Sequence, residues 1–282
     1  MRFVCYALGN TARLAVSHNG ELIDLGAGDL GEHLARGPQE LLARAATGAP
    51  LKKDGLRLLP PILRPPKIIC VGLNYHDHAA ESPYKKAPDY PAFFPRFSSS
   101  LIGEGEAILR PEVSEQLDYE GELVAVIGRG GRHIPRAEAL DHVFGYSIFN
   151  DASIRDYQFK SSQWTVGKNF DATGAFGPAV VTSDDLPAGG EGLALETRLN
   201  GAVVQKGNIS DLIFPVAELV HAASEAMTLE VGDIIVTGTP AGVGFARKPP
   251  IYMRDGDICE VEIEGIGVLR NPVRNEAKKT AA

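Results

Sequence analysis

Short apolar runs rich in β-branched residues, each closed by glycine, proline or a polar pair, recur along most of the chain. Lys67-Ile68-Ile69-Cys70-Val71-Gly72, Leu123-Val124-Ala125-Val126-Ile127-Gly128 and Ile234-Ile235-Val236-Thr237 are too short for buried helices and read as buried strands. At the start, residues 2–8 and 12–17 alternate as strands do, and His18-Asn19-Gly20 signals a hairpin before Glu21-Leu22-Ile23-Asp24-Leu25. Asn200-Gly201 predicts a second hairpin between residues 193–199 and 202–205, and residues 257–264 with 266–269 predict a third. Helical periodicity is sparse. Residues 29–46, broken at Gly37-Pro38, suit one or two short helices. Residues 214–227 place Val216, Leu219, Val220 and Ala223 opposite Glu218 and Glu225, an amphipathic helix.

Many short strands with few helices give a β-rich α+β fold. Pro60-Pro61 and Pro65-Pro66 cannot continue a helix or a central strand, so a stiff linker and a domain boundary are expected there. Residues 1–62 then form a small N-terminal α/β appendage, residues 67–275 the main domain and residues 276–282 a disordered tail. Residues 82–103, with four prolines and three phenylalanines, have loop composition suited to capping a site, and Phe94, Arg96 and Ser98 are candidate pocket residues.

Composition narrows the function. A net charge of -8 offers no basic surface for nucleic acid, and a small-molecule partner is expected instead. No stretch approaches the roughly 18 apolar residues of a membrane span, and the first residues lack a signal-peptide core, so a cytoplasmic location is expected. Cys5, Cys70 and Cys259 lie scattered in apolar runs and read as reduced, buried and structural.

The candidate chemistry centres on Asp118-Tyr119-Glu120-Gly121-Glu122-Leu123. Side chains two apart on a strand share a face, so Glu120 and Glu122 would project together. Asp151 ends another strand-like run, Val143-Phe144-Gly145-Tyr146-Ser147-Ile148-Phe149, and can supply a third carboxylate. Three carboxylates without a His or Cys cluster describe a hard-cation site, for Mg²⁺ with Mn²⁺ or Ca²⁺ as substitutes. The plainer alternative is an exposed pair answered by Arg129, Arg132 or Arg136. His78 and Glu81, three apart on a helix, can hydrogen-bond, which orients an imidazole for proton transfer; a solvated helical pair is the alternative. The glycine-rich run 238–244 lets backbone approach a ligand, with Thr239 offering a hydroxyl and an amide, and it lacks a nucleotide-binding lysine. Arg155 can pair with Asp156 or with a ligand carboxyl group, and Lys168 with Asp171 or a ligand.

Six words in order carry a family resemblance: Gly72-Leu73-Asn74-Tyr75; His78 with Glu81; Asp118 to Leu123; Asn150 to Asp156; Gly167-Lys168-Asn169-Phe170-Asp171; and Thr237-Gly238-Thr239-Pro240 with Gly242. Together the chain resembles the fumarylacetoacetate hydrolase superfamily, of the acylpyruvate hydrolase or hydroxyheptadienedioate isomerase type. The resemblance implies a mixed β-sandwich roll, usually a homodimer. It implies Mg²⁺ or Mn²⁺ held by Glu120, Glu122 and Asp151. It also implies Lys168 near metal and substrate, with Gln158, Arg155, Thr239 and Tyr75 on the substrate. Many relatives carry proline where Ala175 stands, which puts the local turn and substrate choice at issue; specificity is expected in the proline-rich loop and at Gln158, Ala175 and Phe176.

The activity expected from this resemblance is Mg²⁺-dependent hydrolysis of the carbon–carbon bond of an acylpyruvate-like 2,4-dioxo acid. His78, oriented by Glu81, would activate water, while the metal and Lys168 stabilise the pyruvate enolate. One alternative puts the same enolate to decarboxylation or to isomerisation and tautomerisation of a 2-oxo diacid of the oxaloacetate or hydroxymuconate type. An alternative of another class is a non-catalytic metabolite-binding module.

Overall fold

The computed structural model describes residues 1–18, 21–45, 49–51, 55–83 and 86–277. The chain opens with β1 (Arg2–Leu8), β2 (Thr11–His18), β3 (Glu21–Ala27), α1 (Leu30–Arg36), α2 (Pro38–Ala45), β4 (Ala49–Leu51) and β5 (Arg57–Leu59). Next come β6 (Ile68–Gly72), α3 (His76–Glu81), β7 (Ala92–Arg96), β8 (Leu101–Ile102), β9 (Ile108–Arg110), β10 (Leu117–Asp118), β11 (Gly121–Ile127) and β12 (Val143–Asp151). After β13 (Ser153–Ile154) lie two single helical turns, α4 (Arg155–Gln158) and α5 (Thr165–Lys168), then β14 (Gly174–Thr182). The chain closes with β15 (Ala194–Leu199), β16 (Ala202–Asn208), α6 (Val216–Ala226), β17 (Ile234–Val236), β18 (Ile258–Ile263) and β19 (Gly267–Asn275).

A mixed twelve-stranded sheet runs β4-β3-β2-β1-β14-β12-β11-β17-β6-β7, with β5 added to β1 and β8 to β14. A five-stranded sheet, β16-β15-β18-β19-β9, packs over part of it. The central strands are apolar without interruption because both of their faces are covered. On β11, Leu123, Ala125 and Ile127 enter the core between the sheets, while Val124 and Val126 join the layer behind, which includes Leu30, Leu34 and Leu41 of α1 and α2. β6 divides in the same way, Ile69 and Val71 to one side and Ile68 and Cys70 to the other. The strand-rich α+β reading, the short helix pair broken at Gly37 and the helix on Val216–Ala226 all correspond to what the sequence predicts. The turn at Asn200 (φ 52°) and Gly201 (φ 80°) has the two left-handed residues that a tight hairpin requires. The first hairpin also forms, pairing His18 with Glu21, although Asn19 and Gly20 lie outside the described residues.

Two expectations are corrected. Residues 92–96 are not loop: they form β7, at the end of the sheet's strand order, with Pro95 opposite Ile69. Proline is compatible with a strand whose other side donates nothing to a ladder, which composition alone does not reveal. Gly174-Ala175-Phe176-Gly177 is likewise no turn but the start of β14, with Ala175 paired to Asn150 and Phe176 to Phe149. The N-terminal strands extend the large sheet, since Arg2 and Phe3 pair with Val181 and Val180. The proline-rich segment is packed rather than loose. Asp29 caps α1 through Glu32 N (2.9 Å) and also accepts from Leu63 N (2.8 Å), while Ile62 is buried beside α1. At the far end Glu276 N still donates to Arg110 O, and Lys278 to Ala282 of the expected tail lie outside the described residues.

Candidate active site

The site forms where β11 and β12 end side by side. β12 carries Asp151 as its last residue, and Asp151 N donates to Glu120 O at 2.8 Å. β11 begins at Gly121, so Glu120 sits in the step between β10 and β11 rather than on one continuous strand. Asn150 Oδ1 holds that step by accepting from Glu120 N (3.0 Å). Gly121 is required there, because a Cβ would lie 2.3 Å from Thr197 Oγ1 of the covering sheet. The outcome is the expected convergence: Glu120, Glu122 and Asp151 are all buried, and each offers an oxygen within 4.8 Å of the others'.

These acids are answered from within the protein. Lys168 Nζ lies 2.5 Å from Glu120 Oε2 and 2.6 Å from Asp151 Oδ2, and Arg155 Nη2 lies 2.6 Å from Glu120 Oε1. Arg96 Nη1 bonds Asp151 Oδ1, while its other nitrogens reach Thr173 Oγ1 (2.7 Å) and Ser100 Oγ (3.2 Å). Asp118, fully buried, accepts from Arg155 Nε (2.8 Å) and from the amides of Tyr119, Gly244 and Phe245. Neither arginine pairing with Asp156 nor lysine pairing with Asp171 is present. Asp156 bonds Ser114 instead (2.6 Å), and Asp171 is exposed.

Glu122 is the exception. No cation lies within ion-pair distance of it among the described residues, and its oxygen accepts from Gly238 N at 2.5 Å. Burial, reinforced by Asp151 and Glu120, pushes its carboxyl well above the ordinary range. Burial also opposes ionisation of Glu120, but Arg155 and Lys168 outweigh it and hold that carboxyl down at about 2. Burial likewise works against charge on Lys168, and Asp151 and Glu120 reverse the sign, so the ammonium is raised overall. Four buried carboxyl groups, counting Asp118, face three buried cations, so once Glu122 gives up its proton the cluster carries one negative charge more than its own cations answer. An all-oxygen donor set with surplus negative charge fits a hard divalent cation better than zinc or a univalent ion.

Facing this cluster, His78 Nδ1 lies 3.0 Å from Glu81 Oε1, and Gly242 N holds both Glu81 oxygens at 3.1 Å. With Nδ1 against a carboxylate, the ring's proton belongs there and Nε2 keeps its lone pair. Gly238 (φ 102°) brings its loop against Asn74, where a Cβ would stand 2.8 Å from the Asn74 Cβ. Asn74 ties this loop to the turn before α3 by donating to Thr237 O (2.8 Å) and Phe214 O (3.0 Å).

One cavity joins these groups. His78, Glu120, Glu122, Arg155, Gln158, Lys168 and Thr239 line its polar side, and Phe94, Phe159, Trp164 and Phe245 are among its apolar wall. Gln158 Oε1 accepts from Arg155 (2.8 Å), and Thr239 Oγ1 donates to Gly121 O (2.9 Å). Glu81 stands behind His78, and Asp151 lies behind Lys168, held by Arg96. Tyr75 is not brought to the cavity. It is buried in the core with its hydroxyl unpartnered, and burial pushes the pKa of that hydroxyl well up. Ala175 and Phe176 are also buried away from the cavity wall. The direct hold of Arg96 on Asp151 and the role of Asp118 in anchoring Arg155 were not predicted. Arg96 is among the pocket residues expected from the sequence, but its proline-rich surroundings concealed the strand that aims it at Asp151, and Asp118 had no pattern beyond its place beside Glu120.

The three free cysteines are buried, as predicted. No helix among the described residues is long and apolar enough to cross a membrane.

A metal-ready carboxylate cluster at the end of a mixed sheet, with a buried lysine and an imidazole–carboxylate pair, defines an enzyme class, and comparison with known proteins places the chain within it. The chain belongs to the fumarylacetoacetate hydrolase family: the model for the fumarylacetoacetate (FAA) hydrolase C-terminal region matches residues 67–274. The chain is 39% identical to the oxaloacetate tautomerase fahd2, mitochondrial, of Xenopus laevis, over 92% of this chain and 85% of that protein. Among solved structures, the fumarylacetoacetate hydrolase of Exiguobacterium antarcticum superposes with a TM-score of 0.86 at 38% identity, covering 98% of this chain and 100% of that one. Maleylpyruvate hydrolase from Sphingobium sp. SYK-6, in complex with manganese (II) ion and pyruvate, gives a TM-score of 0.80 at 26% identity, covering 98% of this chain and 100% of that one.

Proposed function

We propose that this protein is a tautomerase or isomerase of a small 2-oxo diacid of the oxaloacetate type, rather than primarily an acylpyruvate hydrolase. The observation that carries the reading is that one small cavity joins the carboxylate cluster, Lys168 and the His78–Glu81 pair. The similarity to an oxaloacetate tautomerase over nearly the whole chain supports this choice over the hydrolase.

A divalent cation held by Glu120, Glu122 and Asp151, Mg²⁺ with Mn²⁺ as a substitute, would supply Lewis acidity toward the oxygens of the 2-oxo acid. The chain's own residues account for the proton's path. His78 Nε2 takes a proton from C3, and Glu81 holds the resulting imidazolium in place through Nδ1. Lys168 keeps positive charge close to the C2 oxygen while electrons move from the C3–H bond onto it. The proton then returns to that oxygen, so the isomerisation consumes nothing. Arg155, Gln158 and Thr239 orient the substrate, whereas Tyr75 acts only as packing beneath the Asn74 turn. The enzyme works as a cytoplasmic homodimer in which residues 1–62 form an appendage to the 67–275 unit.

A second reading, hydrolysis of an acylpyruvate, is favoured by the same His78–Glu81 pair, which can orient water as readily as it can take a carbon-bound proton, and by the likeness to a maleylpyruvate hydrolase. The two readings part at His78→Ala. If tautomerisation is the activity, loss of enol oxaloacetate absorbance and solvent deuterium exchange at C3 fall together by about 10² to 10⁴. If exchange survives while release of acid products from acylpyruvates collapses, the hydrolase reading replaces the tautomerase. Release of CO₂ from oxaloacetate above the metal-only rate would instead mark a decarboxylase.

A further inference from the structure

The apolar side of the cavity is an aromatic collar made of two edge-on pairs. Phe94 and Trp164 meet with ring centroids 5.5 Å apart at 76°, and Phe159 and Phe245 meet at 5.6 Å and 63°. Arg155 lies over the Phe245 ring at 4.5 Å and Lys168 over Phe94 at 5.1 Å, so the collar sits directly against the charged floor. The space enclosed is about 30 Å³ measured by the centres of a water-sized sphere. Trp164 sets one wall tightly. Its ring packs on Gly72 so closely that a Cβ added there would come within 2.2 Å of Trp164 Cζ3. Behind Trp164 the chain faces solvent: Lys160, Ser161, Ser162 and Gln163 are exposed, as is Val166. Trp164 itself is half-buried and packs against the core layer that contains Phe94, so removing the indole leaves space beside Phe94 at the cavity wall.

We propose that this collar, and Trp164 in particular, is the specificity determinant that confines the site to 2-oxo acids bearing a short substituent. The proposal rests on the reading of the site as one that binds a 2-oxo acid beside a divalent cation. It moves the origin of specificity from Ala175 and Phe176, both buried away from the cavity, to the segment leading into Lys168. A longer C4 chain must displace the ring that Gly72 and Phe94 hold in place. Trp164→Ala is expected to spare the ion pairs among Glu120, Asp151, Arg155 and Lys168 and the His78–Glu81 bond, and oxalate affinity checks that it does.

The test uses binding rather than turnover, with the full chain loaded with Mn²⁺ and titrated calorimetrically with oxalate and with N-methyl, N-propyl and N-pentyl oxamate. In the unaltered protein oxalate binds and affinity falls steeply with alkyl length. In Trp164→Ala oxalate affinity stays within about twofold, while preference for the N-propyl over the N-methyl compound rises by roughly tenfold or more, within the range of one or two methylenes in an apolar pocket. Phe159→Ala, on the exposed side of the collar, is the second variant and shifts the same ratio in the same direction. An unchanged length profile in both variants overturns the collar as determinant while leaving the proposed function intact. Failure of oxalate to bind the unaltered, Mn²⁺-loaded protein overturns the 2-oxo acid reading, and the collar proposal with it.

Discussion

The chain contains the spacing Glu-x-Glu four times, at 104/106, 120/122, 260/262 and 262/264, and the second and third of these meet opposite fates. Glu120 and Glu122 are buried in the carboxylate cluster, while Glu260 and Glu262, on β18 of the five-stranded sheet, are partly open to solvent. In the β18 pair Arg198 reaches Glu262 at 2.7 Å, Glu196 at 2.8 Å and Glu260 at 3.4 Å, and Arg270 reaches Glu260 at 3.3 Å. Arg198 stands directly opposite Glu260 in the ladder, and it screens Glu196 from Glu262, which face each other as like charges. This is the solvated ion-pair arrangement weighed for Glu120 and Glu122. What separates the two is cover. The face of β11 at Glu122 lies under the Gly238 loop and beside Lys168, whereas the corresponding face of β18 lies open. Shared direction along a strand brings carboxylates together, but only a covered face makes their charge costly enough to demand a metal or a dedicated lysine.

The largest difference is expected when a cation is removed from each cluster. Lys168→Met takes one of three cations from four buried acids and should lower stability by about 3–5 kcal/mol without metal, the usual cost of orphaning a buried charge. Arg198→Met should cost about 0–1 kcal/mol. Urea unfolding of the two variants in chelator measures both; equal losses would mean that the Lys168 cluster is solvated after all.

Next in size is metal affinity. Glu122→Gln removes an oxygen ligand and the surplus charge, so Mn²⁺ affinity should fall by at least about 10²-fold, beyond what outer partners of a metal site cost. Glu262→Gln should leave it unchanged. Calorimetric titration distinguishes them, and comparable affinity in both variants removes Glu122 from the ligand set.

Proton linkage sharpens the contrast further. Because burial and neighbouring acids raise the Glu122 carboxyl, a proton competes with the cation, so Mn²⁺ affinity should weaken as pH falls through that raised value, by up to about tenfold per pH unit. Titration in buffers of differing ionisation enthalpy should register proton release on binding by the unaltered protein and less of it by Glu122→Gln. No buffer dependence would contradict the raised carboxyl.

The smallest effect belongs to the open ladder. Salt near 1 M, where screening acts within about 3 Å, should erase the contribution of Arg198 to stability while leaving most of that of Lys168. A double comparison of the two methionine variants at low and high salt would show it.

By itself the sequence determined most of the strands, the hairpins and the helix pattern, because apolar period and turn chemistry are local properties, while β7 and the start of β14 escaped it. It also placed Asp151 at the end of β12 and Glu120 beside Glu122, although Glu120 is aimed by the step between β10 and β11 and not by alternation along one strand. The pairing of His78 with Glu81 follows from helical spacing alone. Which carboxylates would be buried, and what would answer them, only the tertiary structure decided. Arg96 arrives from an edge strand that its prolines disguised as loop, Arg155 turns to Asp118 and Glu120 instead of its neighbour Asp156, and Tyr75 goes to the core although it lies three residues from His78. Trp164 becomes a cavity wall because a glycine on β6 leaves room for its ring. Each of these depends on elements distant in the chain meeting across a covered face, and burial of charge is a property of that meeting rather than of any local stretch of sequence.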